Sequence, residues 1–415
     1  MLTVVLHLAT ALLAMASLPS SAEAKVELPV QRLLPEHVAL VINENDPYSV
    51  AIGGEYARQR GIPDDNVIRV RFAVQANMPR KAFNRVKGLV DAATPPGVQA
   101  YALAWTQPFK VACMSVTSAF ALGLDESYCA KGCRDTRRSV YFDSDTRRPF
   151  DELGVRPAMS LAASDVAGGR ALIERGLSAD HSWPEAPAYL VRTSDKRRNV
   201  RAYRYSTLAR QWQGEADIRV VSEQEMAGVE DILFYFTGTA RVQGLERNGF
   251  VEGAIGDHLT SAGGRLTSDK QMSALRWLDA GTSGSYGTVV EPCNITGKFP
   301  DPAIVIERYL RGETLLEAYW KSVAMPGQGV FIGDPLTAPF AGARVSIDDG
   351  QRTLQTRELE EGDYAVFGAR HGEPFAALGN VQARGRLVRE LALPGVAYDC
   401  YRVTAAGGEA GGRCK

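Results

Sequence analysis

This 415-residue chain has few side chains that act as nucleophiles or proton carriers near neutral pH: five histidines and six cysteines. It also lacks a charge excess. Lys and Arg number 47 against 48 Asp and Glu, which argues against a nucleic-acid-binding domain, where a basic surplus is the rule. No basic cluster with interleaved aromatics occurs. After residue 24 no apolar run is long enough to span a bilayer. No repeat at solenoid periods is present, which excludes a stacked array. Cys129-Ala-Lys-Gly-Cys133 is half of a metal site, and no nearby His or second Cys pair completes it, so no metal is expected. The segment 281–287 is glycine rich but lacks the lysine of a phosphate-binding loop and precedes a strand. It reads as a tight helix-to-strand turn, is not a Gly-x-Ser-x-Gly elbow, and leaves no cofactor expected.

What is present begins with an apolar stretch from Met1 to Leu18, followed by Pro-Ser-Ser-Ala-Glu-Ala. Residues 1–24 read as a secretory signal with cleavage after Ala24, although no Lys or Arg precedes the apolar run. The competing reading is a membrane anchor. Export places the cysteines where disulfides persist. Cys400 and Cys414 are positioned to staple the tail. Two of Cys113, Cys129 and Cys133 are expected to pair, which leaves one of them and Cys293. Cys293 is then either a free thiol or, because the total is even, half of a structural disulfide.

Hydrophobic patterning gives an α/β chain. Val38–Ile42 is a β-branched run suited to a buried parallel strand. Asp46-Pro47 then caps a helix that runs to Arg60 and stops at Gly61. Strands follow at 67–70 and 101–105, with a helix at 81–92 between them. Residues 127–151 are polar and rich in Arg and Asp, a surface excursion held by cysteines. The alternation resumes with a helix near 171–175, a strand at 188–192, a helix around 207–213 and a strand at 218–221. Residues 231–238 form the most apolar strand, expected at the sheet centre. A helix is expected at 271–280, two more at 303–310 and 314–322, and a last strand at 329–333. From residue 341 short alternating runs (343–347, 364–367, 397–401) indicate a small β-rich appendage. The basic run Lys196-Arg197-Arg198, with Arg192 and Arg201 nearby, reads as a solvated loop.

Two blocks carry the chemistry. Gly253-Ala-Ile-Gly-Asp-His258 and Tyr286-Gly-Thr-Val-Val-Glu-Pro-Cys293 each read as a buried strand ending on a reactive side chain. Adjacent parallel strands of this kind bring an imidazole and a thiol to one sheet edge, where open α/β sheets bind their ligands. A cysteine nucleophile needs a partner base or acid and donors for the developing oxyanion. Asp257 points away from its neighbour His258, because successive strand residues alternate. Glu291 lies on the Cys293 side of its strand, as a pocket or ion-pairing residue.

This arrangement of strand–His, helix, strand–Glu–Pro–Cys resembles the caspase-like clan of cysteine peptidases, which includes gingipains, separases and legumains, and its spacing is similar to that of gingipains. The stretch 40–49, with Arg60-Gly61-Ile62-Pro63 after it, is similar to the first gingipain subdomain. Longer strings resemble an exported family of bacteria that carry an exosortase-type protein-sorting system: Asp257-His-Leu-Thr-Ser261, Ser285-Tyr-Gly-Thr-Val-Val-Glu-Pro-Cys-Asn294, Phe299-Pro-Asp-Pro302 and Glu317-Ala-Tyr-Trp-Lys-Ser322. The resemblance spans roughly residues 35–340. It implies a mostly parallel caspase-like sheet flanked by helices, in two gingipain-like subdomains. It also implies Cys293 as nucleophile and His258 as acid/base, with Asp257, Glu291, Leu259 and Asn294 around them. Two departures stand out. Leu259 replaces the clan's glycine after the His, whose N–H serves the oxyanion, and Pro292 before the Cys has no N–H.

The expected organisation is a signal at 1–24, an N-terminal α/β subdomain at 25–185, a caspase-like subdomain with the His/Cys pair at 186–340 and the appendage at 341–415. The expected function is an exported cysteine peptidase or transpeptidase acting on a protein or peptide in the cell envelope, whether periplasmic, extracellular or at the outer envelope. The alternative is a non-catalytic binding or assembly protein of the envelope on the same fold.

Overall fold

The computed structural model of the protein describes residues 24–29, 32–268, 270–348, 351–394 and 396–415. The expected signal therefore lies outside the described residues, apart from Ala24. In chain order the elements are β1 (Lys25–Glu27), β2 (Val38–Asn43), α1 (Pro47–Arg60), β3 (Val67–Val70), β4 (Asn77–Met78), α2 (Arg80–Ala93), β5 (Ala100–Leu103), β6 (Lys110–Val111) and β7 (Met114–Ser115). Next come α3 (Val116–Leu122), α4 (Pro149–Leu153), β8 (Ala158–Ser160), α5 (Val166–Ala179), β9 (Ala188–Arg192), α6 (Tyr205–Gln211), β10 (Ile218–Ser222), β11 (Ile232–Thr237) and β12 (Phe250–His258). Then follow α7 (Leu275–Asp279), β13 (Gly284–Thr288), α8 (Pro302–Leu310), α9 (Leu315–Ser322) and β14 (Gly329–Gly333). The C-terminal strands are β15 (Ala343–Asp348), β16 (Gln351–Thr356), β17 (Gly362–Ala369), β18 (Ala376–Ala383), β19 (Arg389–Leu393) and β20 (Cys400–Ala405).

Ten strands form one sheet in the order β10-β9-β11-β12-β13-β14-β8-β5-β2-β3. Every pairing in it is parallel except β13 with β14. The single antiparallel seam divides the sheet into two parallel blocks that run in opposite directions. One block is built from residues 188–288 and the other from residues 38–160 plus β14. The carboxyl ends of β11, β12 and β13 thus share one edge of the sheet, while those of β2, β5 and β8 lie at the other.

The alternation of β2 shows how the sheet is covered. Val38, Leu40 and Ile42 enter the core beneath α1, α5, α8 and α9, whereas Ala39 and Val41 face α2 and α3. A strand apolar on both faces needs helices on both, so the result is an α/β/α sandwich. Asp46 caps α1 by accepting from the Tyr48 N–H, and Gly61 ends it at φ +65°, a left-handed turn that suits glycine. β11 is fully buried at the centre of its block, as its composition demands.

Several expectations shift. The helix expected at 271–280 is confined to Leu275–Asp279, because the backbone before it bonds elsewhere: Met272 N–H donates to Ala240 O and Ala274 N–H to Gly263 O. The strand expected to reach Cys293 stops at Thr288. α5 extends well beyond the 171–175 piece. The appendage is β-rich with its own apolar core around Leu354, Val366, Leu391 and Tyr401, and β1 joins it by pairing in parallel with β20. Among the described residues no helix is long and apolar enough to cross a membrane.

Candidate functional site

β12 carries His258 to the sheet edge, and the residues before it explain the ring's surroundings. Gly256 has no side chain, and a Cβ there would lie 2.2 Å from Cε3 of Trp277. The Trp277 indole therefore lies flat across β12, packed edge-on against Tyr235 with ring centroids 5.0 Å apart. Its Nε1–H donates to Nδ1 of His258 at 2.9 Å. An indole N–H only donates, so Nδ1 must be unprotonated and the proton sits on Nε2. That Nε2–H donates to Met272 O at 3.0 Å. His258 is 2% exposed. Burial lowers its pKa to about 4, opposed by the bond to Met272 O and reinforced by the charges of Arg201, Arg198 and Arg241. The ring is neutral at physiological pH, and both nitrogens are engaged.

Asp257 points to the opposite side, as strand alternation requires, and forms a buried ion pair with Arg201 at 2.5 Å. Burial pushes the Asp257 carboxyl up despite this partner. Arg201 also donates to Thr237 O and Pro300 O at 2.8 and 3.0 Å. The basic segment at 196–201 is thus no simple solvated loop. Arg198 pairs with Asp195 and donates to Thr260 Oγ1, and Arg201 is a core residue. Leu259 is 2% exposed, and its N–H, the expected oxyanion donor, is spent on Thr237 O at 3.0 Å in an extension of the β11–β12 ladder.

Cys293 lies in the loop after β13, half-buried, at φ +56°. This left-handed backbone is uncommon outside glycine. The chain folds back there, so that the Cys293 N–H donates to Glu291 Oε1 at 2.8 Å. The same oxygen accepts from Ser261 Oγ at 3.0 Å, which joins the loops that follow the two strands. Thr288 Oγ1 adds bonds to Thr260 O and Ser261 O. The strand ends expected to meet are neighbours: β12 pairs with β13 in parallel. Asn294 is exposed.

The sulfur is not a free thiol. Cys293 is bonded to Cys133, across 160 residues of chain. Cys113 pairs with Cys129, and Cys400 with Cys414, as the tail staple required. All six cysteines are paired, which fits an oxidising compartment. Of the two readings open for Cys293, the disulfide is the one found, because the excursion carries Cys133 across to the 293 loop. In this state the atoms of the expected dyad, and the backbone N–H groups of Leu259 and Cys293, already have partners.

Beside the disulfide lies a cleft of about 530 Å³. Its lining draws on Asp135, Arg138 and Phe142 of the excursion, Ile295, Thr296 and Phe299 of the following loop, and the segment from Arg201 through α6, among others. Tyr203, 76% exposed, stands at the rim. Arg138 stacks on Phe142 at 5.1 Å, and Arg204 pairs with Asp301 at 2.6 Å. Sequence reasoning missed this cleft, together with the roles of Trp277, Met272 and Cys133. The one legible signal was Gly256, whose missing side chain leaves room on its strand face for a large ring. Among the described residues no group of His, Cys, Asp and Glu is arranged to hold a metal ion.

No family model matches the chain, and no curated protein matches it. A solved structure described as "Structure of Protease" is similar in outline, with a TM-score of 0.41 and 12% identity over 88% of this chain and 92% of that one. At that level the likeness says nothing about chemistry.

Proposed function

We propose that this chain, in its oxidised form, is an exported binding or assembly protein of the cell envelope that does not hydrolyse its partner. The engagement of every group the expected chemistry needs supports this reading. Acyl transfer from Cys293 requires a thiolate, and its sulfur is held by Cys133. General acid–base work requires a ring nitrogen within reach of substrate, and His258 offers both of its nitrogens to the protein interior. Oxyanion stabilisation requires unpaired donors, and the N–H groups of Leu259 and Cys293 are taken. What remains open to a partner is the cleft between the excursion and the 293–299 loop. Its aromatic and aliphatic lining, with Arg138 exposed over Phe142, suits an extended peptide segment that presents an apolar side chain near a carboxylate.

The test is an unbiased peptide library incubated with the purified protein without reductant and read by mass spectrometry, with Cys293→Ala in parallel. No cleavage is expected from either. Cleavage by the native protein that disappears in Cys293→Ala would overturn the reading.

A cysteine peptidase or transpeptidase is the second reading, favoured by the parallel adjacency of β12 and β13 and by the shared Glu291 contact. It requires both that the disulfide open and that His258 leave Trp277. The same library assay in the presence of a mild reductant examines it.

A further inference from the structure

The three disulfides differ in how far they are open to solvent. Cys400 and Cys414 are 1% and 2% exposed. Cys113 and Cys129 are both half-buried. Only the third pair has an exposed member: Cys133 is exposed, while its partner Cys293 is half-buried. The segment around Cys133 also has little else to hold it. Residues 130–138 contain no helix or strand. Apart from bonds back to residues 125–128, made by Arg137 N–H to Ser127 O and by the Arg137–Asp125 and Lys131–Glu126 pairs, their ties include Lys298 Nζ donating to Arg134 O at 2.6 Å and the Thr136 N–H against Met325 Sδ. A backbone bond to a distant segment follows where Ser139 N–H donates to Ala324 O. The disulfide ties together two of the segments that line the 530 Å³ cleft, since Asp135 and Arg138 follow Cys133 and Ile295 and Thr296 follow Cys293.

We infer that the Cys133–Cys293 bond is a thiol-exchange site and a clasp on this cleft. An incoming thiolate R–S⁻ reaches the exposed Cys133 sulfur. An R–S–S–Cys133 mixed disulfide forms as the Cys133–Cys293 bond breaks, and the electron pair leaves on Cys293 as its thiolate. The co-reactant is a low-molecular-weight thiol or an exposed cysteine of an oxidoreductase. No net oxidant is consumed, because one disulfide replaces another. Attack at Cys293 instead would have to approach a half-buried sulfur in a turn whose N–H is bonded to Glu291. Once the bond opens, the lining segment carrying Asp135 and Arg138 is freed from the one carrying Ile295, while the core strands behind them keep their ladders. The inference stands whether or not the protein cleaves anything, since it concerns the sulfur that reacts first and the segment it releases.

The native protein is treated with graded reduced glutathione at pH 8, quenched with N-ethylmaleimide and mapped by peptide mass spectrometry. The expected result is glutathione on Cys133, maleimide on Cys293, and exchange about tenfold or more faster than at the other two disulfides, consistent with control of such rates by access. Glutathione found on Cys293, or opening first of Cys113–Cys129 or Cys400–Cys414, would overturn the exchange site. Hydrogen exchange on the Cys133→Ser/Cys293→Ser double variant tests the clasp without a redox reagent. Faster exchange over 130–138 and 293–299, with β11 and β12 unchanged, is expected. Protection identical to the native protein in both segments, or loss of protection throughout, would remove the clasp.

Discussion

Two neighbouring strands of one sheet, β12 and β13, end in opposite ways. β12 keeps its ladder to the last residue: His258 registers with Thr237, and the N–H of Leu259 still bonds to Thr237 O. Its end is interior, closed over by Trp277 on one side and by the Arg201–Asp257 pair on the other. β13 also carries its ladder one bond past its last residue, with Val289 N–H donating to Gln328 O, but Cys293 lies further along, in a turn that is tied to the exposed Cys133. The lesson is that the availability of a strand-end side chain is set by where the ladder stops, not by the residue's chemistry. A buried imidazole with two partners is a packing element. A half-buried sulfur bonded to an exposed one is accessible chemistry.

The sharpest way to break this contrast is to attack the β12 end through its ion pair. Asp257 is fully buried, and Arg201 is its one charged partner in the described structure. Removing one partner of a buried pair leaves an uncompensated charge and costs about 3–5 kcal/mol. Arg201→Met should therefore lower unfolding free energy by that amount in urea denaturation. A loss under about 1 kcal/mol would mean that this end is wetter than described, and the contrast with β13 would weaken.

A smaller effect is expected from acid. The His258 pKa of about 4 in the fold lies below the ordinary value of 6.5 in the unfolded chain. Between those values the unfolded state binds the extra proton, so stability is complete above pH 6.5 and falls as pH drops toward 4. The full difference amounts to about 3 kcal/mol. His258→Gln should remove this slope. Subtracting its pH profile from that of the native protein isolates the ring from Asp257, whose raised carboxyl contributes with the opposite sign. A native profile that runs parallel to that of the variant from pH 6.5 to 4 would show that the ring is solvated, and therefore closer to a working base than its contacts allow.

Much of the sheet was legible in the sequence because strands covered on both faces declare themselves as apolar runs, as at 38–42 and 231–238. Caps did the same for α1, through Asp46-Pro47 and Gly61. What local pattern could not carry was direction. Nothing within β13 or β14 marks their pairing as the antiparallel seam, since that depends on a crossover through α8 and α9. β8, three residues long, was invisible for want of length. At the site, the two blocks do contain neighbouring parallel strands, but only the first ends on its reactive residue. The fates of their reactive residues were decided by distant partners: Trp277 and Met272 for His258, and Cys133, 160 residues away, for Cys293. A basic run gave no hint that one of its members, Arg201, would be buried against Asp257.

The mildest perturbations belong on the β13 side, and their smallness is itself the point. Tyr203 at the cleft rim is 76% exposed, and Asn294 is exposed in the loop that carries Cys293. Truncating either to Ala removes little buried area, so stability should move by no more than about 0.5 kcal/mol. If the cleft is where a partner peptide rests, Tyr203→Ala should still weaken its capture, because exposed aromatics at a rim contribute contact area at low entropic cost. Asn294→Ala should leave capture unchanged, since Asn294 does not line the cleft. Isothermal titration with an apolar–acidic peptide on both variants reads this directly. Equal loss in the two would place recognition on the loop as a whole, and no loss in either would move it away from the open end of the site altogether. Either outcome would leave β12 and β13 differing in structure but not in use.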